Sequence, residues 1–144
     1  MFNRVLILIG PNLNAIGAIN QGVYGKESAQ SINLQIEEWA KRLGLSCEIF
    51  QSNWEGAIID KIYEMKNSVD GAIVNAGALA HCSYSLRDAI EYTHMPFIEV
   101  HMSNIYNREK FRAKSIIAPV CAGQITGFGK NSYFLALQAL KDII

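Results

Sequence analysis

The sequence lacks the features that mark several protein classes. Its 13 basic residues are balanced by 13 acidic ones, which leaves a formal net charge of zero. Without a basic face, we expect no nucleic-acid partner. Apolar runs do not reach the roughly 18 residues that a membrane-spanning helix needs, so we expect no membrane association. The first residues show no signal-peptide cleavage pattern and run directly into a predicted strand.

Cysteine is also scarce, with only Cys47, Cys82 and Cys121, widely spaced along the chain. An odd number of distant thiols favours reduced cysteines in the cytoplasm over a disulfide framework. What is present is ordinary for a globular protein, since 50% of the residues are hydrophobic and 18% are charged. The length predicts one domain, residues 1–144.

Five short apolar runs, rich in isoleucine and valine, alternate with segments of helical periodicity. The runs are residues 4–9, 46–50, 71–75, 96–101 and 115–120. Continuous apolar runs are typical of parallel strands that are covered on both faces. Right-handed crossovers between such strands predict an α/β three-layer sandwich. Its parallel sheet has five strands, and the flavodoxin-like order 2-1-3-4-5 is favoured.

The predicted helices are residues 28–43, 55–67, 85–92, 105–111 and 132–144. Ser28 is expected to cap the first helix at its N-terminus, and Gly44 ends it in the position that tolerates a left-handed backbone. The apolar stripes place Tyr63 inward on the second helix and Ile144 inward on the last one.

A glycine- and asparagine-rich loop, residues 10–25, follows the first strand and carries Tyr24 near its far end. A loop of this length in a compact domain is usually functional or disordered. In an open α/β sheet, ligands bind beyond the carboxyl ends of the strands. We therefore expect the loop to cover a site at that edge.

Polar side chains gather where the predicted strands end. Asn12, Asn75 and His81 follow the first and third strands, and the fourth ends in Glu99 and His101. Residues two apart on a strand point to the same face, so Glu99 can fix the tautomer of His101. The pair fits either a general acid with its orienting partner or an ordinary strand-end hydrogen bond.

Other patterns are weaker. A nucleophile pair of His81 and Cys82 is disfavoured, because sequence neighbours rarely meet in the required geometry. A zinc site built from His81, His101 and Glu99 lacks a compact ligand motif. The glycine-rich residues 123–129 lack the spacing of a phosphate-binding loop and favour a tight turn.

Arg108 and Arg112 are four residues apart and would share one face of a helix. They fit either a solvated charged face together with Glu109 or a pair that binds an anionic substrate. The second interpretation rests on the planar fork that a guanidinium presents to a carboxylate.

Taken together, short segments along the chain resemble those of the type II 3-dehydroquinate dehydratases. The matching segments are Gly10-Pro-Asn-Leu-Asn14, Val23-Tyr-Gly25, Gln51-Ser-Asn53 with Glu55-Gly56, Ala78-x-x-His81 with Leu86-Arg-Asp88, Glu99-Val-His101-x-Ser-Asn104, Arg108-Glu109, Phe111-Arg112 and Gly127-x-Gly129. They occur in family order along almost the whole chain, and the ordered set is highly specific.

The resemblance implies a flavodoxin-like subunit assembled as trimers, commonly four trimers in a dodecamer. It implies dehydration of 3-dehydroquinate to 3-dehydroshikimate in the shikimate pathway of aromatic amino-acid biosynthesis, with neither metal nor cofactor. Tyr24 would be the base, Asn12 would position a water on the enolate, and His101, oriented by Glu99, would protonate the leaving hydroxyl. The substrate would be bound by Asn75, His81, Met102, Ser103 and Arg112, with Asp88 from a neighbouring subunit.

One departure from the family pattern touches the chemistry. The lid usually carries an arginine five residues before the tyrosine, and this chain has Ile19 there. Losing a preorganised cation can cost ~10²–10³ in rate. Either Arg108, Arg112 or Lys26 replaces it, or the enzyme is slow, or the chain binds without reacting. Ile19→Arg is expected to raise the rate at least tenfold, unless the cation is already supplied elsewhere.

Two further functions compete with the dehydratase. One is a non-catalytic protein that binds quinate-like cyclic hydroxy acids. The other is a flavin or nucleotide binder, which is suggested by the fold alone and is therefore weakly supported.

Overall fold

In the computed structural model, residues 3–144 are described, so the first two residues of the predicted domain lie outside that range. One sheet of five parallel strands contains Arg4–Ile9 (β1), Ser46–Gln51 (β2), Gly71–Asn75 (β3), Phe97–His101 (β4) and Gly123–Thr126 (β5). Their order, β2-β1-β3-β4-β5, confirms the predicted α/β fold. In the strand register Ile9 lies beside both Gln51 and Asn75, so three strands end level with one another.

The helices are Gln21–Tyr24 (α1), Ala29–Arg42 (α2), Glu55–Met65 (α3), Tyr84–Thr93 (α4) and Asn131–Ile143 (α5). α2 and α5 cover one face of the sheet, where Ile36 and Leu137 are fully buried. α3 and α4 cover the other face through Ile62 and Ile90. The central strand β1 is buried from its second residue onward because both of its faces are covered.

The ends of α2 follow the sequence signals closely. The Ser28 hydroxyl accepts a hydrogen bond from the Ser31 amide at 3.1 Å, as an N-cap should. Gly44 has a φ of +76° just beyond the helix, a conformation that costs glycine little. Two inward assignments on other helices are wrong, because Tyr63 is 41% exposed and Ile144 is 38% exposed.

The predicted fifth strand is misplaced. Residues 115–120 form a loop that ends in a short 3₁₀ turn, Ala118–Val120. Pro119 has no N–H for a ladder, and Ile116 and Ile117 are instead buried in the cluster beneath α3 and α4. Strand β5 lies in the glycine-rich segment that we predicted as a turn, and it is a half-exposed edge strand with a weak apolar pattern.

The predicted helix at residues 105–111 is also wrong. The chain forms two 3₁₀ turns there, Ile105–Asn107 and Lys110–Ala113, separated by an extended Arg108. The side chain of Asn104 accepts a hydrogen bond from the Tyr106 amide at 3.1 Å and starts the first turn. This break directs Arg108 away from the regular face that a continuous helix would have given it.

The carboxyl ends of the strands bring the long loop, the residues after β3 and those after β4 to one edge of the sheet. This is the edge where open α/β sheets place their sites. Within residues 3–144, no helix has the length and apolar character to cross a membrane.

Candidate active site

Tyr24 lies at the end of α1, the single helical turn inside the long loop. Asn20 starts this turn with a left-handed backbone at φ +43°, and Gly25 ends it at φ +86°. Both residue types tolerate such conformations. The reversals fold the loop back over the sheet edge, and the half-buried Tyr24 ring packs against the core.

The Tyr24 hydroxyl is bound by a cation. Arg108 donates a hydrogen bond from Nη1 to the Tyr24 oxygen at 2.9 Å, and its guanidinium carbon lies 5.4 Å from the centre of the tyrosine ring. The same nitrogen lies 3.3 Å from the Ser103 hydroxyl. A positive hydrogen-bond donor at a phenol oxygen favours the phenolate form. The arrangement therefore suits a tyrosine that acts as a base.

Glu99 and His101 form a buried pair on β4. Glu99 is 0% exposed and His101 is 5% exposed. His101 Nε2 is hydrogen-bonded to Glu99 Oε2, and the Ser115 hydroxyl donates to Glu99 Oε1 at 2.8 Å. Engagement of Nε2 by the carboxylate leaves Nδ1 as the ring nitrogen available to a substrate. The pair has the form of an acid with its orienting carboxylate.

His81 stands beside His101. Their rings stack with centroids 5.9 Å apart and planes 17° apart, and His81 Nδ1 pairs with the Lys114 carbonyl at 2.8 Å. The neighbouring Cys82 directs its thiol to the Ala78 carbonyl at 3.5 Å rather than to His81. A Cys–His nucleophile pair is therefore not formed.

One cavity joins the tyrosine to the histidines. It is lined by Leu13, Tyr24, Asn75, Gly77, His81, His101, Met102, Ser103, Ile105, Arg108 and Arg112. Most of the predicted site residues therefore share one cavity. Glu99 lies behind His101 and acts on the cavity only through that ring.

Besides Glu99, two predicted residues do not line the cavity. Asn12 is exposed, with a left-handed backbone at φ +70°, and its amide donates to Asn53 Oδ1 at 2.9 Å. Asp88 is exposed on α4 and does not line the cavity of its own chain. Both residues are exposed to solvent in the single chain.

Asn75 is buried at the end of β3, and its side chain already makes hydrogen bonds within the protein. Its Nδ2 donates to the Tyr133 hydroxyl at 2.7 Å, and its Oδ1 accepts from the Gly77 amide at 3.3 Å. Burial raises the pKa of Tyr133 to about 12, which keeps that phenol neutral. The contact of Tyr133 with Asn75 joins residues far apart in the chain, so the sequence did not indicate it.

Arg108 and Arg112 both line the cavity but donate hydrogen bonds to different residues. Arg112 Nε donates to Glu109 Oε2 at 2.9 Å, and this hydrogen bond is the main cause of the lowered pKa of Glu109. Arg108 Nε lies farther from that carboxylate, 3.9 Å from Glu109 Oε1, and the Arg108 hydrogen bonds go to Tyr24 and Ser103. The sequence allowed a charged face or an anion-binding pair, and the structure places both guanidiniums at the cavity.

A family model described as "Dehydroquinase class II" matches residues 3–141. The chain belongs to the class II dehydroquinases. It is 51% identical to the 3-dehydroquinate dehydratase of a Nitratiruptor species over 97% of this chain and 90% of the relative. It is 50% identical to that of Caldicellulosiruptor bescii over 98% of each chain. These dehydroquinases are hydro-lyases, so the chain belongs to a family of enzymes.

The solved type II dehydroquinase of Butyrivibrio crossotus superposes on this chain with a TM-score of 0.93. The two are 43% identical, and the alignment covers 95% of this chain and 96% of the other. This likeness agrees with the α/β fold and the strand order described above.

Within this dehydroquinase, Ile19 stands where the resemblance predicts an arginine, and its side chain is 37% exposed. Three cations were candidates to replace that arginine. Lys26 is exposed just beyond the loop, and Arg112 is hydrogen-bonded to Glu109. The structure brings Arg108 to the Tyr24 hydroxyl.

Proposed function

We propose that this dehydroquinase dehydrates 3-dehydroquinate to 3-dehydroshikimate with Tyr24 as the base and His101 as the acid. The observation that carries the proposal is the position of a cation-bound phenol and a carboxylate-bound imidazole in one cavity. Such a reaction needs a positioned base for a proton next to a ketone and an acid for a departing hydroxyl.

The base step depends on Arg108. An unperturbed tyrosine has a pKa near ~10, so only about one molecule in a thousand is ionised at pH 7. The guanidinium at 2.9 Å stabilises the phenolate, which then removes a proton from the carbon beside the ketone. The product of this step is an enolate, and we assign Asn12 to position a water that hydrogen-bonds to it.

The acid step depends on the buried pair of Glu99 and His101. The Glu99 carboxylate stabilises the protonated imidazole of His101. The proton passes from His101 to the hydroxyl that leaves, and the departing group is water. The enolate electrons form the carbon–carbon double bond, so the net change is the loss of one water molecule. The side chains supply both proton transfers in this scheme, which uses no metal or cofactor.

The turn after β4 suits the substrate carboxylate. The backbone N–H groups of Met102 and Ser103 donate to no protein acceptor within residues 3–144 and adjoin the cavity. Free backbone donors in a turn bind anions well. The substrate hydroxyls are then left to Asn75, His81 and Arg112, which also line the cavity.

A neighbouring subunit completes this arrangement. Asp88 is exposed on α4 of its own chain, which supports a role at the cavity of another copy. We propose trimers, grouped as four in a dodecamer, as the working assembly. The three cysteines of the described chain are free, which supports a cytoplasmic location.

A second candidate function rests on Ile19. Without the lid arginine, the same cavity would serve a protein that binds quinate-like cyclic hydroxy acids and turns them over poorly. The contact between Arg108 and Tyr24 favours the enzyme over this alternative, because it provides the base with a cation.

The test follows absorbance of the conjugated product after 3-dehydroquinate is added, with Tyr24→Phe and, as control, Tyr63→Phe on the exposed side of α3. Removal of the base is expected to lower kcat by ~10²–10⁴-fold. Quinate should still raise the melting temperature of Tyr24→Phe. Stabilisation of the unsubstituted protein by quinate without any turnover would instead establish the binding protein.

A further inference from the structure

Glu99 is a fully buried carboxylate whose two oxygens have different partners. One oxygen, Oε2, is engaged by His101, and the other, Oε1, accepts the hydroxyl hydrogen of Ser115 at 2.8 Å. A buried carboxylate oxygen without a donor is costly, since the desolvation of that group is then uncompensated. Ser115 therefore holds the side of Glu99 that His101 does not reach.

The Ser115 hydroxyl is itself held in place. Its oxygen accepts a hydrogen bond from the Ala118 amide at 3.1 Å, which leaves the O–H free to point at Glu99. The segment around it is bound at two further points. The Ile116 amide donates to the Ala80 carbonyl at 2.8 Å, and Arg87 donates to the Ile116 carbonyl at 3.2 Å.

The same segment also contacts the second histidine of the cavity. The carbonyl of Lys114, next to Ser115, pairs with His81 Nδ1 at 2.8 Å, and the His81 ring stacks on His101. Residues 114–118 therefore contact both neighbours of His101, the Glu99 carboxylate behind it and the His81 ring beside it.

We propose that Ser115 is a positioning residue of the dehydration, which holds the Glu99 carboxylate in the orientation that directs His101 toward the substrate. This inference rests on the proposed function for its kinetic consequences, but its geometric basis is the hydrogen-bonded chain from Ala118 to His101. Sequence reasoning missed Ser115 because its apolar neighbours resemble a strand.

Few other groups face Glu99. Cys121 lies nearby, and burial, with the Glu99 charge second, raises the pKa of its thiol to about 12, so it stays neutral. Gln124 of β5 is opposite Glu99 in the strand register and is uncharged. Beyond His101 lie His81 and Arg112, both on the cavity side. Within the described chain, Ser115 is thus the side-chain hydroxyl that binds this carboxylate.

Loss of the hydroxyl has a defined electrostatic direction. Without the Ser115 hydroxyl, the ionised Glu99 carboxylate loses a hydrogen-bond donor, and this loss costs less when a proton is shared with His101. The Glu99–His101 pair should therefore bind its proton more tightly. The limb of the pH profile of kcat that reflects this pair should then move to higher pH. A freer carboxylate also orients the ring less well, so kcat should fall while KM changes little.

The experiment compares Ser115→Ala with Ser115→Thr, which keeps the hydroxyl, and with Ser115→Cys, which keeps the size but donates weakly. Ser68→Ala, at the end of α3, removes a remote hydroxyl as the control. We expect about a tenfold lower kcat and a raised pH limb in Ser115→Ala, an intermediate Ser115→Cys, and near-normal values in Ser115→Thr. Unchanged kcat and pH limb in folded Ser115→Ala and Ser115→Cys would overturn the proposal.

A second readout does not require turnover. The chain has only three histidines, His81, His94 and His101, so their ring signals can be assigned and titrated by NMR. The midpoint for His101 should rise in Ser115→Ala, because the Glu99 carboxylate loses a hydrogen-bond donor, with His94 unchanged. An unchanged His101 midpoint would contradict the positioning role even if the protein proved inactive, which separates this failure from failure of the proposed function.

Discussion

At the scale of single residues, the proposed base Tyr24 needs a cation beside its hydroxyl. A phenol at neutral pH is almost entirely protonated, and the lid of this chain offers Ile19 where an arginine is expected. Arg108 meets the need from a different segment, by a hydrogen bond to the hydroxyl and by its position over the ring. Its second partner, Ser103, holds the guanidinium in place.

Replacing Arg108 by methionine tests this directly. The change keeps an unbranched side chain but removes the charge and the donor, so kcat should fall by ~10²–10³-fold. Steady-state kinetics on Arg108→Met should be compared with Arg42→Met, which removes an exposed arginine of α2. Equal kcat values for the two variants would show that Tyr24 does not depend on Arg108.

Some of these residues could be predicted from the sequence and others could not. The spacing of Glu99 and His101 gave their shared face, and the resemblance gave the role of Tyr24. The contact between Tyr24 and Arg108 joins residues 84 positions apart, and the sequence offered three cations for the same place. Ser115 was missed because a hydrogen bond to a buried carboxylate leaves no periodic signal.

At the scale of elements, the strands covered on both faces were the predictable ones. β1 and β3 are continuous apolar runs, and their bounds match the prediction. β5 is an edge strand of four residues, beginning at Gly123, and it has little apolar pattern of its own. The stronger apolar run at residues 115–120 packs as a loop because Pro119 cannot join a ladder.

The close approach of two strand ends leaves little room for a side chain at Gly10. A Cβ at this position would lie 2.4 Å from the Ala76 carbonyl oxygen, which is rigid backbone. Gly10→Ala should therefore destabilise the protein by about 1–3 kcal/mol. Gly56 in α3 is the matched control, because its Cβ would meet nothing within 4 Å.

Gly56→Ala should instead stabilise the protein by at most about 0.5–1 kcal/mol, since alanine has the higher helix propensity and Gly56 lies in the first turn of α3. Denaturant unfolding at one fixed protein concentration measures both variants. Equal stability of Gly10→Ala and the unsubstituted protein would contradict the tight packing of β1 against β3.

At the scale of the whole molecule, a single chain leaves Asp88 exposed on α4 and away from its own cavity. A cyclic trimer uses a heterologous interface, in which one surface of each copy meets a different surface of the next. This geometry would let α4 of one subunit approach the cavity of its neighbour, as the proposed assembly requires.

Mixing two inactive variants tests this assembly. Asp88→Asn chains keep Tyr24, and Tyr24→Phe chains keep Asp88, so random mixed trimers should restore about a quarter of the sites. Activity is measured after the variants are unfolded and refolded together, with Tyr24→Phe refolded alone as the control. If light scattering shows that the mixed chains assemble as trimers or dodecamers and no activity returns, Asp88 lies outside the neighbouring site.

The most direct test of the account is the turnover of 3-dehydroquinate by this chain and by Ile19→Arg, measured side by side. Since Arg108 already binds the Tyr24 hydroxyl, both proteins should be active and their kcat values should differ by less than about tenfold. An inactive parent chain together with an active Ile19→Arg variant would contradict the claim that Arg108 supplies the missing cation.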